Sequence, residues 1–170
     1  AIGAYQRAIQ YDPNNSSAFF ELGVAHYRKK LYSEAIKAFK ESIRLDPKRS
    51  EPYYRIGLCY SAEKNLEEAR TSFEKAIELG IRNGYAQYEL GKVYVDLNDT
   101  DKGIKVLTSA VQLKPDLVDA YLELGDVYYN KALPSEAIPY YKRATELAPS
   151  DATAILYLAD AYLNAKRYDD

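Results

Sequence analysis

One spacing governs how this chain can fold. Gly23, Gly57, Gly91 and Gly125 stand 34 residues apart, and Ala159 continues the series. Leu22, Ile56, Leu90, Leu124 and Leu158 each precede a member of it. His26, Tyr60, Tyr94, Tyr128 and Tyr162 each follow by three. A second set shares the period: Ala1, Ala35, Ala69, Gly103 and Ala137, then Tyr5, Phe39, Phe73, Leu107 and Tyr141 four residues on. Pro13, Pro47, Pro115 and Pro149 complete it, with Ile81 where a fifth proline would fall. A repeat of this length is a supersecondary unit that buries its apolar face only by stacking on its neighbours.

Within each unit the apolar residues step by three and four, as in Phe19, Leu22, His26 and in Ala35, Phe39, Ser42. That is the period of one helix face. Breaks at "LDPKRS", "KNLEE", "LNDTD", "LKPDL" and "LAPSD" separate two helices per unit. The spacing predicts first helices over 16–29, 50–63, 84–97, 118–131 and 152–165. It predicts second helices over 33–46, 67–80, 101–114 and 135–148, preceded by an unpaired one at 2–12. Small residues at Gly23 and Ala35 let two antiparallel helices approach closely, and the proline ends the pair. Pro139 comes early in a second helix, and if Ser135 caps that helix only its first hydrogen bond is lost. The stretch 80–84, with Gly80, Ile81 and Gly84, is read as the joint of altered curvature.

These residues resemble the tetratricopeptide repeat: large–x–x–Leu–Gly/Ala–x–x–Tyr, then Ala–x–x–x–Phe/Tyr–x–x–Ala, then Pro. The resemblance covers the whole chain. It implies an all-α fold, a right-handed α-solenoid of antiparallel helix pairs with a 34-residue period. The expected organisation is one array: an orphan second helix at 1–13, repeats at 16–49, 50–83, 84–117 and 118–151, and a partial repeat at 152–170. The third repeat departs most, with Gln87, Gly103 and Leu107 at signature positions.

The chemistry of an enzyme has little to stand on. His26 is the only histidine and occupies the slot held elsewhere by tyrosine. A zinc site needs several Cys or His ligands. Cys59 is the only cysteine, and a nucleophilic thiol needs a base beside it. No phosphate-cradling glycine loop or hydrolase motif is present. No catalytic residue, metal or cofactor is therefore expected. The net charge is −2 and the pI about 5.6, which opposes nucleic-acid binding. No apolar run has the length for direct membrane insertion.

The resemblance implies that first helices line a concave groove that holds a protein or peptide segment. The residues placed there are Phe20, Tyr27, Tyr54, Arg55, Tyr85, Tyr88, Glu89, Lys92, Asp119, Glu123 and Asp126. The aromatic ones suit a recognition surface. Asp119, Glu123 and Asp126 lie on one helix face, where mutual repulsion favours a basic partner. The basic clamp by which some family members hold a carboxylate tail is missing. The expected function is a protein-interaction scaffold for a segment with basic and aromatic residues. The alternative is a self-assembling array joined head to tail through Tyr5, Ile9, Leu158 and Tyr162. That alternative reads the chain as a trimmed fragment, without Met and cut out of phase with its period, so that Leu158, Ala161 and Tyr162 lack a covering helix.

Overall fold

The structure, a computed structural model, describes residues 2–168, with side chains through Ala165. Among the described residues there are ten α-helices and no strand. The chain divides between Arg82 and Asn83 into two compact units. The first holds α1 (Ile2–Tyr11), α2 (Ser16–Arg28), α3 (Tyr32–Leu45), α4 (Glu51–Ala62) and α5 (Leu66–Glu78). The second holds α6 (Gly84–Asp96), α7 (Thr100–Leu113), α8 (Val118–Asn130), α9 (Pro134–Leu147) and α10 (Ala152–Tyr168).

Sequential helices pair in both units, and the first helices also meet side by side, α2 with α4 and α6 with α8. The pairing rests on a notch and a knob. A Cβ on Gly23 or Gly57 would lie 2.5 Å from the ring of Phe39 or Phe73. In the second unit the same atom on Gly91 would meet Leu107 at 2.6 Å, and on Gly125 would meet Tyr141 at 2.4 Å. Phe39, Phe73 and Leu107 are fully buried, as are Ala35, Ala69 and Ala137 opposite. The close approach is thus bought by having no side chain at the notch and filled by the largest side chain four residues past the facing alanine or glycine.

The turn from first to second helix carries a feature that no glycine announces. Lys30, Lys64, Asn98 and Ala132 have φ of 59°, 63°, 63° and 58°. The next residue's N–H then reaches back five positions to the carbonyls of His26, Tyr60, Tyr94 and Tyr128, at 3.1, 2.9, 2.9 and 3.1 Å. This left-handed corner satisfies the last carbonyls of the helix. It also brings the second helices in one residue earlier than the spacing predicts, at Tyr32, Leu66, Thr100 and Pro134. At Ala132 the Cβ crowds the backbone oxygen, and alanine has no polar side chain, such as Asn98 has, to bond the local backbone in return. Ala132→Gly is expected to raise the unfolding free energy by about 0.5–1 kcal/mol, read by urea denaturation. No change, or a loss, would show that the corner is unstrained.

Ser135 is not a cap. Leu133 precedes α9, Pro134 is its buried first residue and Pro139 lies inside the helix. Pro139 therefore leaves the exposed Ser135 without the amide that would bond its carbonyl. At the joint, α5 ends without a proline. Gly80 takes φ 92°, and the Ile81 N–H bonds the Ala76 carbonyl at 3.1 Å. Glycine does there what proline does after α3, α7 and α9.

Candidate functional site

The first unit places its expected site residues on α2 and α4. Phe20 is half-buried, its ring 5.6 Å from Phe39 and covered on another side by the Arg49 guanidinium at 4.3 Å. Arg49 also bonds Ser17 at 3.4 Å and lies 3.5 Å from Glu51. Tyr27 stands 5.7 Å from Tyr32, and Tyr54 stands 5.8 Å from Phe73 with Arg55 beside its ring. These aromatic residues are partly packing groups, each with one side on the core and another toward solvent. Arg49 was not anticipated; it sits in the turn before α4, outside any reading of helix faces.

The second unit brings together a charged cluster on α6 and α8. Tyr88 packs on the layer around Leu107 and Ala110, with the Lys92 ammonium 5.1 Å from its ring. Lys92 also lies 3.9 Å from Glu89. Burial raises the Glu89 carboxyl above its ordinary range; Lys92 opposes the rise and Asp119 adds to it. Burial also raises Glu123, against Lys92 and with Asp126, Asp96 and Glu89. The Tyr88 phenol is pushed up by burial and then by Asp119, Glu123 and Glu89. Lys92 thus faces the Glu89 and Glu123 carboxyls, and Asp96, Asp119 and Asp126 on the same two helices add like charge to one or other of them. Removing charge from water beside like charge costs free energy that a cation from outside would offset. Tyr85 is 45% exposed, with Lys114 5.4 Å from its ring.

Asp126 and Leu158, of the expected residues, are also held by α9. Asp126 accepts a hydrogen bond from the Tyr141 hydroxyl at 2.6 Å. Burial raises its carboxyl and that bond lowers it. Asp126 therefore belongs partly to the α8–α9 pair and is a poor position for testing the surface by substitution. Among the expected end residues, Leu158 packs with Ala137, Tyr141 and Ala161, and Ala161 is fully buried. The reading that both lack a covering helix is corrected: α9 covers them, because this face of a first helix meets the preceding pair. Tyr162 is 46% exposed, while Tyr5 and Ile9 are half-buried on α1.

His26 and Cys59 hold packing positions. The Nδ1 atom of His26 is buried without a hydrogen-bond partner. Cys59 is fully buried, and its thiol is pushed up to about 12 by burial, with Glu63 adding and Arg55 opposing. Such a thiol is not a nucleophile near neutral pH. Among the described residues no three His, Cys, Asp or Glu side chains gather as a metal site would. No helix of the described residues is long and apolar enough to cross a membrane.

Family models of the tetratricopeptide repeat match residues 1–50, 50–80 and 132–170, and a TPR-repeat model matches 91–131. No match among curated protein sequences reaches significance. Among solved structures, MamA is 31% identical with a TM-score of 0.82, over 89% of this chain and 89% of that one. YrrB, described as a TPR protein with an unusual peptide-binding site, is 25% identical with a TM-score of 0.84, over 98% of this chain and 86% of that one. A thermophilic TPR protein of Thermus thermophilus is 23% identical with a TM-score of 0.72, over 95% and 89%. The fold class is an all-α helical-repeat solenoid.

Proposed function

The chain belongs to the tetratricopeptide-repeat family, a family of protein-interaction scaffolds that are generally not enzymes, and on that footing we propose that its first helices bind a protein or peptide segment. The α6–α8 face of the second unit takes the basic residues of such a segment; the α2–α4 face of the first unit, taken by itself, suits aromatic or apolar ones. One observation carries this reading: Glu89 and Glu123 are held half-buried and above their ordinary range around a single Lys92. A fold gains nothing from that arrangement by itself, whereas a lysine or arginine from a partner completes it. YrrB, whose description includes a peptide-binding site, supports the class of ligand.

A peptide-display selection tests the reading, run in parallel on the unaltered chain and on Glu89→Gln/Glu123→Gln. Asp126 is left unaltered, because its bond to Tyr141 would make its removal a stability change as well. The unaltered chain is expected to enrich peptides with Lys or Arg near aromatic residues, and the variant to lose them. Equal enrichment by both proteins would remove the α6–α8 face as the site.

A second reading, homotypic association, draws on α10. Leu156, Tyr162 and Leu163 are exposed there by 64%, 46% and 66%. Sedimentation over a wide concentration range separates the two readings: a strict monomer leaves only the segment-binding one.

A further inference from the structure

The first unit carries a hollow of about 930 Å³ lined by α3, α4 and α5. Tyr53, Ile56 and Tyr60 of α4 floor it, Ile43 of α3 closes one side, and Ser72 and Lys75 of α5 line the other. The repeat shows what such a space holds when it is filled. Sixty-eight residues on, two periods, Tyr128 stands for Tyr60, Tyr121 for Tyr53, Tyr140 for Ser72 and Arg143 for Lys75. There the Tyr140 ring stacks on Tyr128, centroids 5.3 Å apart and planes 8° from parallel. Tyr140 also packs on the layer formed by Leu107, Leu124 and Val127, and Arg143 shares a hydrogen bond with Tyr121. In the first unit Ser72 turns its hydroxyl back onto the Glu68 carbonyl at 2.7 Å, and Lys75 turns to Glu78 at 2.9 Å. Tyr60 lines the hollow, and among the described residues no ring stacks on it, whereas Tyr140 stacks on Tyr128.

We propose that this hollow is a second docking site, and that its occupant is an aromatic side chain of a partner protein segment. The ring stacks on Tyr60 as Tyr140 stacks on Tyr128, with a lysine or arginine next to it in sequence. The charge of the rim selects that neighbour. The lining carries Glu67, Glu68, Glu74 and Glu78 against Lys40 and Lys75, an acidic excess, and of these four carboxylates only Glu68 has no ion pair among the described residues. Parallel offset rings of this kind contribute beyond the area they cover. The site lies wholly within the first unit and does not depend on the α6–α8 carboxylates.

Ser72→Tyr is the decisive variant, because it plugs the hollow with the chain's own ring in an arrangement the fourth repeat already accommodates. The probe is a soluble peptide containing Lys–Tyr–Lys, with Lys–Ala–Lys as control, titrated into isotope-labelled protein and read by amide shifts. The tyrosine peptide is expected to move resonances of 53–60 and 68–75 at millimolar concentration, and the alanine peptide to leave them in place. Ser72→Tyr is expected to weaken that response at least tenfold, and Glu89→Gln/Glu123→Gln to leave it unchanged. Should Ser72→Tyr not fold, Tyr60→Leu keeps the floor apolar and is expected to give the same loss. An unchanged response in these variants, or shifts confined to α6 and α8, overturns the proposal. Shifts of the same residues that grow with protein concentration alone assign the hollow to a second copy, and also overturn it.

Discussion

Alanine in place of Phe73 is expected to lower the unfolding free energy by about 3–5 kcal/mol, enough to unfold the first unit in mild denaturant. The ring is fully buried and lies where a Gly57 Cβ would be, with Tyr54 tilted over it at 5.8 Å. Removing it opens a cavity that backbone on two helices encloses, so the site cannot collapse easily. Gly57→Ala attacks the same joint from the other side. Its methyl would need the ring to move from 2.5 Å, and a fully buried ring has nowhere to go. The expected cost is about 1–3 kcal/mol, the usual range for overpacking. Urea unfolding followed by circular dichroism measures both. A Phe73→Ala loss below about 1 kcal/mol would mean that the notch and knob are not what couples α4 to α5.

Binding of a basic segment is expected to weaken as pH falls, beginning above the ordinary carboxylate range. The sign follows from the raised Glu89 and Glu123 groups. The free protein takes up protons there before an ordinary carboxylate would, and each proton removes a charge the partner needs. Affinity is thus fully present above the raised range and is lost as pH drops through it. Stability runs the other way. The folded state binds more protons than the unfolded one between the ordinary and raised ranges, so these groups favour folding more at mildly acid than at neutral pH. Glu123→Gln is accordingly expected to stabilise the fold at neutral pH, by roughly 0.5 kcal/mol for one relieved like-charge neighbour on a helix. The same change is expected to reduce affinity for a Lys- or Arg-bearing peptide severalfold. Calorimetric titration at a series of pH values, with thermal unfolding alongside, checks both. An affinity independent of pH down to the ordinary carboxylate range would remove the cluster from the binding surface.

The helices were legible because close approach and core filling leave a periodic mark: glycine or alanine where two backbones touch, an aromatic or leucine where the space beyond is filled. The starts of the second helices were not. The corner before them is left-handed at Lys30, Lys64, Asn98 and Ala132, of which only Asn98 is a residue type that favours such a turn. The tertiary pairing imposes that conformation on whichever residue stands there. Of the candidate surface, the carboxylates of α6 and α8 could be placed from helical spacing alone. Their partial burial, and the claim of Tyr141 on Asp126, depend on neighbours that spacing within one helix does not specify. Arg49 over Phe20 escaped because it belongs to a turn. The hollow beside Tyr60 escaped for a different reason: its signal is a difference between positions 72 and 140, visible only when repeats are compared for what they lack.

The four left-handed corners recur once per repeat and share no partner with one another. Substitutions at separated sites add their effects. Glycine at each would therefore accumulate a margin of fold stability without touching the α6–α8 carboxylates or the hollow at Tyr60. A chain hardened at its corners would tolerate costly changes on its binding faces, and so serve as a base on which new recognition surfaces are evolved.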